Sequence, residues 1–140
     1  MDEKDLEIIR VLQANARTPF LELARRLRMS ESAVRKRVSR LEREGVIERY
    51  TVVVNPSKLG YNAVAIVGLD VTPDKYLAVV ESLAGLEQVR SVVTSTGDHM
   101  IMAEVWARDN RELAYILLQK VGKLEGVTRV CPAIVLERIK

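Results

Sequence analysis

A chain of 140 residues has room for one ordinary domain or two small ones, and its hydrophobic share of 48% and charged share of 29% are those of a globular protein. No apolar run is long enough to span a bilayer, and the acidic segment Met1–Asp5 is not a signal peptide, so we expect a cytoplasmic protein. A single cysteine, Cys131, excludes an intrachain disulfide framework.

The net charge of +3 is distributed unevenly along the chain. Residues 17–49 carry ten basic and five acidic side chains, a local charge of +5, and the remainder sums to −2. A basic patch on a nearly neutral body is the electrostatic footprint of a DNA-binding module. It also predicts a salt-sensitive affinity, because each neutralised phosphate releases counterions.

Three helices are predicted in the first part of the chain. The first spans Asp2–Ala14, with Leu6, Ile9 and Leu12 as its inward residues. The second begins with Thr18 as N-cap and a proline at the first helical position. After a very short turn, a serine caps the third helix, whose first residue is a glutamate. Two short helices joined by such a turn are typical of a helix-turn-helix.

The third helix has two distinct faces. Val34, Val38 and Leu41 share one inward stripe at helical spacing, Gly45 ends the helix, and the alternating β-branched segment Val46–Val54 predicts a β-ribbon, the wing. Arginine and lysine reach phosphates or guanine edges, and short serines let a helix enter the major groove. We therefore assign DNA binding to Ser30, Ser32, Arg35, Lys36, Ser39, Arg40 and Arg43.

Two other interpretations of these basic residues stay open. A run of arginine and lysine can simply be a solvated helix face. Arg37 lies close to the inward stripe, and a local ion pair with a carboxylate such as Glu22 is the alternative to a DNA contact there.

Turn-forming residues concentrate in the segment NPSKLGYN, which predicts a linker over residues 55–62 between a domain at 1–54 and a second domain at 63–140. The second domain begins with Ala63–Val71, an apolar strand suited to burial on both faces or against a partner. A helix beginning at Thr72 and Pro73 follows and ends at Gly85. Its predicted inward residues are Tyr76, Leu77, Val80 and Leu83.

Two strands, one helix and a last strand complete the pattern. The strands Val89–Thr96 and Met100–Trp106 are joined by a tight turn, a helix runs from Asp109 or Asn110 to about Val121, and the last strand is Val127–Ile139. The order β-α-β-β-α-β predicts a ferredoxin-like arrangement, so the fold class is α+β.

A weak internal repeat supports this order. Leu86–Val89 and Leu124–Val127 lie 38 residues apart, at the same helix-to-strand connection of each half. Two helices on one face of a single sheet leave the other face bare, and pairing with a second copy is the economical way to cover it.

The chain resembles the Lrp/AsnC (feast/famine) transcriptional regulators. The resemblance is strongest over Ser30–Gly60 and is supported by Asp5–Arg17, Thr96–Val105 and Ile134–Lys140. It implies a winged helix-turn-helix domain that binds double-stranded DNA, a linker, and an ACT-like domain that dimerises and often assembles dimers into octamers or discs. It also implies an amino-acid or related effector, bound between protomers near the turn of Gly97, Asp98 and His99.

The chain departs from the family pattern at that turn. Met100 stands where the family usually has a second aspartate, and Val130 and Pro132 stand where its last strand often presents threonines. A free amino acid needs an acceptor for its ammonium and donors for its carboxylate, so these replacements disfavour an ordinary amino-acid effector. Asp98 is either a ligand acceptor or a turn former, and His99 is either a sensor of protons or anions or a histidine hydrogen-bonded in the turn.

Three further residues have structural interpretations. Pro132 cannot donate to a strand ladder and predicts a sheet edge or bulge. Cys131 is expected to be a small buried hydrophobe, and Trp106 to belong to the core or an interface.

The sequence leaves two alternatives to a regulator. An enzyme is disfavoured, because one histidine and one cysteine, without an HxxxH or CxxC motif or a phosphate-cradling glycine loop, offer no constellation for metal or nucleophilic chemistry; no metal or cofactor is expected. A nucleoid-like architectural protein without an effector would bind DNA with little sequence preference.

Overall fold

The computed structural model describes residues 1–140, which divide into an N-terminal unit, Met1–Val53, and a C-terminal unit, Val54–Lys140. The α-helices are α1 (Glu3–Ala14), α2 (Phe20–Leu27), α3 (Glu31–Arg43), α4 (Tyr76–Ala84) and α5 (Asn110–Tyr115). The strands are β1 (Ala63–Val71), β2 (Val89–Thr94), β3 (Ile101–Ala107) and β4 (Val127–Ile134). None of the helices combines the length and the apolar character needed to cross a membrane.

The core of the N-terminal unit is small and comes from all three helices. It consists of Ile8, Leu23, Ala24, Val34, Val38 and Leu41. The predicted inward stripe of α3 is therefore confirmed. On α1 the prediction for Leu6 is wrong, because Leu6 is 40% exposed while Ile8 and the carboxylate of Asp5 face inward. An apolar pattern alone cannot reveal an aspartate that takes an inward position on a helix.

The three helices of this unit differ in how their N-termini are capped. Asp2 and Asp5 form a reciprocal capping box on α1, each backbone N–H donating to the other's carboxylate at 2.9 Å. The N–H of Ala33 donates to Ser30 Oγ at 3.1 Å, so Ser30 caps α3 as predicted. The prediction for Thr18 is wrong: its hydroxyl donates back to the carbonyl of Asn15 at 2.8 Å, and α2 begins without a side-chain cap.

The segment after α3 is extended but forms no strand, so the predicted β-ribbon over Val46–Val54 is wrong. Val52 and Val53 are 79% and 86% exposed. One contact returns to α3: the hydroxyl of Tyr50 donates to Glu42 at 2.7 Å, and burial together with this bond raises the pKa of Tyr50 to about 12. A β-branched alternating pattern favours extended backbone, but a ladder also needs a second strand.

The C-terminal unit is one four-stranded sheet in the order β2-β3-β1-β4, with every pairing antiparallel. The predicted ferredoxin-like fold is confirmed. Alternate residues of β1 from Ala63 to Val71 are buried together with Val79, Leu83, Leu113 and other apolar residues of the helical segments. We call the opposite side of the sheet the open face, and Ile66 on this face is 45% exposed.

Several element ends differ from the predictions. A 3-10 turn, Pro73–Lys75, precedes α4. The buried residues of α4 are Val79 and the predicted Leu83, whereas Leu77 is 74% exposed. The last turns of the second helix, Ile116–Val121, are a π-helix, and β4 ends at Ile134. Beyond that strand, the N–H of the next residue still donates to the carbonyl of Val64 at 2.9 Å.

Smaller predictions for this unit have mixed outcomes. Pro132 lies in β4, an edge strand, as predicted, whereas Cys131 is only half-buried instead of fully buried. The internal repeat is also a structural repeat. The N–H of Val89 donates to Leu86 and the N–H of Val127 donates to Leu124, both at 3.1 Å, at the two helix-to-strand connections.

Candidate nucleic-acid interface and sensing loop

The outward face of α3 is basic and accessible. Six of the seven residues assigned to DNA binding lie on α3, and Arg40 is the half-buried one among them. The other five are exposed, namely Ser32, Arg35, Lys36, Ser39 and Arg43. Ser30 is exposed at the helix start, where its Oγ lies 3.1 Å from Ser32 Oγ. The side chains project outward because the apolar stripe of the same helix fixes its rotation against α1 and α2.

Arg35 is steadied from two sides without being buried. Its guanidinium donates to Glu31 at 3.3 Å and lies 5.1 Å from the ring centroid of Phe20. The pair with Glu31 is exposed, and such pairs contribute about 0.5 kcal/mol or less. Arg35 therefore stays free to exchange this partner for a base edge or a phosphate.

Arg37 makes the ion pair expected for it, but with different carboxylates. Its Nη1 donates to both oxygens of Asp2 and to Asp5 Oδ1, all at 2.8 Å. The proposed partner Glu22 instead accepts from Arg26 at 2.7 Å within α2. Hydrogen bonds to Asp2 and Asp5 raise the pKa of Arg37. Partners more than thirty residues away in sequence leave no periodic signal, so sequence reasoning missed them.

Arg40 is held by the same buried carboxylate. Its Nη2 donates to Asp5 Oδ2 at 2.5 Å, and its Nε is buried without a hydrogen-bond partner. Burial raises the pKa of Asp5, but hydrogen bonds from the Asp2 N–H, Arg37 and Arg40 outweigh it and lower the pKa to about 2. Asp5 is therefore ionised at neutral pH and joins α1 to α3.

The loop between β2 and β3 brings together the three residues assigned to effector binding. Gly97 and Asp98 are exposed, and Gly97 adopts a φ of +102°, which an L side chain rarely adopts. Ser95 closes the loop: its Oγ donates to the carbonyl of His99 at 2.7 Å and its N–H to the carbonyl of Met100 at 2.9 Å.

The His99 ring folds back onto β1. It covers Gly68 so closely that a Cβ at position 68 would overlap it, and its Nδ1 lies 3.4 Å from Asp70 Oδ1. Nδ1 is buried and has no hydrogen-bond partner. The interpretation of His99 as a histidine hydrogen-bonded in the turn thus holds for its backbone carbonyl and not for this ring nitrogen.

An aromatic cluster lies at the other end of the sheet. Arg90 lies over the rings of Trp106 and Tyr61 at 4.6 and 5.3 Å, and the indole N–H of Trp106 donates to Glu104 at 2.8 Å. The half-buried Trp106 contributes to the open face, where a large amphipathic side chain suits an interface. The stacking of Arg90 on Tyr61 and Trp106 was not predicted from the sequence.

Comparison with known proteins identifies both halves of the chain. Residues 1–48 match the model of a winged helix-turn-helix DNA-binding domain, and residues 64–140 match the Lrp/AsnC ligand binding domain. The chain is 54% identical over 140 residues to the HTH-type transcriptional regulator LrpA of Pyrococcus horikoshii, covering 100% of this chain and 99% of that protein.

The chain belongs to the Lrp/AsnC family. Another family member, LrpA1 of Halobacterium salinarum, is 36% identical over 95% of this chain and 94% of its own length. The structure of Escherichia coli AsnC superposes with a TM-score of 0.89 at 26% identity, covering 100% of this chain and 95% of that one. Like the regulators it matches, this Lrp/AsnC protein is a DNA-binding transcriptional regulator, not an enzyme.

Proposed function

We propose that α3 is the recognition helix of a sequence-specific dimer, whose C-terminal unit binds a small molecule that tunes DNA affinity. The observation that carries this proposal is the exposed face of α3, where basic side chains and serines alternate. Near the start of the helix, Ser32, Arg35 and Lys36 are best placed for base edges. The residues assigned to the phosphate backbone are Arg40 and Arg43.

The test of base reading is Arg35→Ala, measured by fluorescence anisotropy on two duplexes. One duplex is the tightest binder selected from random-sequence DNA by the wild-type protein, and the other has a scrambled sequence. Arg35→Ala should cost about 1 to 3 kcal/mol on the selected duplex and relax specificity at one position. Arg10→Ala removes the same charge from an exposed side chain of α1 and is the matched control.

The outcomes separate three modes of DNA binding. Equal losses on both duplexes would make Arg35 a phosphate contact. Wild-type binding without sequence preference would contradict the proposal and favour an architectural DNA-binding protein. In every case a titration at two salt concentrations counts the phosphate contacts, since each one lost lowers the salt slope by about one.

A second copy of the chain is the proposed occupant of the open face. Val64 and Ile66 of β1 point away from the helices, and on β3 Val64 pairs with Trp106 and Ile66 with Glu104. A dimer also presents two recognition helices to successive major grooves, so palindromic sites follow. Ile66→Arg should convert the protein to a monomer in light scattering, whereas Leu77→Arg, on the exposed side of α4, should leave the dimer intact. An unchanged mass for Ile66→Arg would assign dimerisation elsewhere.

The proposed effector site is the loop Gly97–His99, supported by the match of residues 64–140 to a ligand binding domain. Asp98 is exposed and available as an acceptor for an ammonium group. We expect one of the L-amino acids, tested singly, to shift the anisotropy titration of the wild type. Asp98→Ala should abolish the shift, and the control Asp74→Ala should keep it. No response from any amino acid would agree with the altered positions Met100, Val130 and Pro132 and exclude this effector class.

A further inference from the structure

Asp5 combines three features. Its side chain is only 1% exposed, it lies on α1 and not on the recognition helix, and its two oxygens bind two arginines of that helix. Oδ1 accepts from Arg37 at 2.8 Å, and Oδ2 accepts from Arg40 at 2.5 Å and from the Asp2 N–H at 2.9 Å. Both oxygens are thus occupied.

Arg40 is only partly available to another ligand. An arginine has five N–H donors in a rigid planar fork. Nε is buried, and one donor of Nη2 is taken by Asp5, so the donors left for DNA lie on the remaining edge of the guanidinium. The side chain is 36% exposed, which fits one buried and one accessible edge.

We propose that Asp5 is a positioning residue for DNA recognition: it holds Arg40 so that the free edge of the guanidinium meets the duplex in one orientation. This inference rests on the proposed role of α3. An arginine that is ordered before binding loses less rotamer entropy on contact with its ligand. Arg40 is assigned to the phosphate backbone, and a phosphate contact held in one orientation fixes the register of α3 on the duplex, on which the base contacts of its neighbours depend. An arginine free to rotate can instead reach phosphates in several registers.

The charge of Asp5 and its positioning role predict different effects of removing the carboxylate, which makes the inference testable. A carboxylate close to a DNA-binding face repels phosphate, so neutralising it should tighten binding to every duplex equally. Loss of positioning should lower the preference for the selected duplex over the scrambled one. The ratio of the two affinities therefore separates positioning from net charge, and it is also independent of the fraction of protein that is folded.

The decisive variant is Asp5→Asn in the full-length protein, measured on the selected and scrambled duplexes defined above. We expect scrambled-DNA affinity to stay equal or rise, and the selected-to-scrambled ratio to fall about fivefold or more, because a shifted register weakens the base contacts that α3 makes on the selected duplex. The matched control is Glu22→Gln, which removes the same charge from the exposed pair with Arg26 on α2 and should leave the ratio unchanged.

A double-mutant cycle with Arg40→Ala tests whether Asp5 acts through Arg40. Once Arg40 is absent, Asp5→Asn should have no further effect on the ratio. Arg40→Lys keeps the charge and leaves the Asp5–Arg37 pair in place, so it should stay folded and still lower the ratio, because it lacks the planar fork.

Two results would overturn the inference, and they differ from failure of the proposed function. If the wild type prefers its selected duplex and Asp5→Asn matches the control, Asp5 is a structural residue only. If Asp5→Asn lowers the ratio equally with and without Arg40, it acts by another route. A wild-type protein without sequence preference would remove the proposed function itself, and this inference with it.

Discussion

The two units of the chain are stabilised in different ways. The N-terminal unit has six buried apolar residues, and its helices are also joined by the buried carboxylate of Asp5. The C-terminal unit has fifteen buried apolar residues, four hydrogen-bonded strands and no buried charged side chain. In a small core each apolar contact contributes a larger share of the stability. Here ion pairs also hold part of the helix packing together. The unit that binds DNA is therefore also the unit that depends on charge.

The largest effect is expected from Leu41→Ala, which removes a fully buried side chain from the six-residue core. Such truncations cost about 2 to 5 kcal/mol. Hydrogen exchange should then rise throughout Met1–Val53 while the sheet stays protected. Leu83→Ala, fully buried in the larger core, is the comparison and should raise exchange in the C-terminal unit instead. Equal exchange in both units for either variant would mean that they unfold together.

The next largest effect is expected from acid, which should destabilise the N-terminal unit through Asp5. The folded-state pKa of Asp5, about 2, lies below the ordinary value of 3.8, so its stabilisation is present above that value and is lost as pH falls towards 2. The loss amounts to about 2 kcal/mol. The free energy of unfolding, measured by denaturant melts, should therefore fall more steeply between about pH 4 and about pH 2 for the wild type than for Asp5→Asn. Parallel pH curves for the two proteins would show that the carboxylate contributes nothing to stability.

A smaller effect is expected where the C-terminal unit lacks space. Gly68→Ala places a Cβ against the His99 ring, and local overpacking of this kind costs about 1 kcal/mol when a side chain can move. The same substitution in a His99→Ala background should cost nothing, which thermal unfolding of all four proteins measures. Equal costs in both backgrounds would mean that the backbone of β1, not the ring, excludes the methyl group.

The smallest effect belongs to the exposed pair of α2. Glu22→Gln removes a partner of Arg26, and both side chains are about half exposed. The free energy of unfolding should change by less than about 0.5 kcal/mol. A loss comparable to that of Asp5→Asn would show that burial does not set the strength of ion pairs in the N-terminal unit.

Most of the fold could be predicted from local patterns. The apolar stripe of α3, the serine at its start and the run Ala63–Val71 each lie within one element, where periodicity and capping act over a few residues. The prediction of the β-ribbon was wrong because a strand also depends on a partner outside its own segment. Residues 46–54 carry the composition of strands, but composition does not provide the partner that a ladder needs.

The candidate sites were less predictable, because their geometry depends on distant residues. Nothing near Arg37 and Arg40 in sequence points to Asp2 and Asp5 at the start of α1. The approach of His99 to Gly68 likewise joins residues about thirty apart, on different strands and loops. Helical spacing identified the outward residues of α3 correctly, but it could not tell which of them are already engaged within the protomer.

The two edges of the sheet also determine how this unit behaves at high concentration. β4 carries Pro132, which has no N–H to offer a further strand, and the pairing of β2 with β3 shifts register between Val89 and Ser91. Interrupted edges resist strand addition, which is the first step of fibril growth. A chain that exposes an apolar sheet face can therefore associate through that face, while its interrupted edge strands disfavour edge-to-edge pairing between sheets.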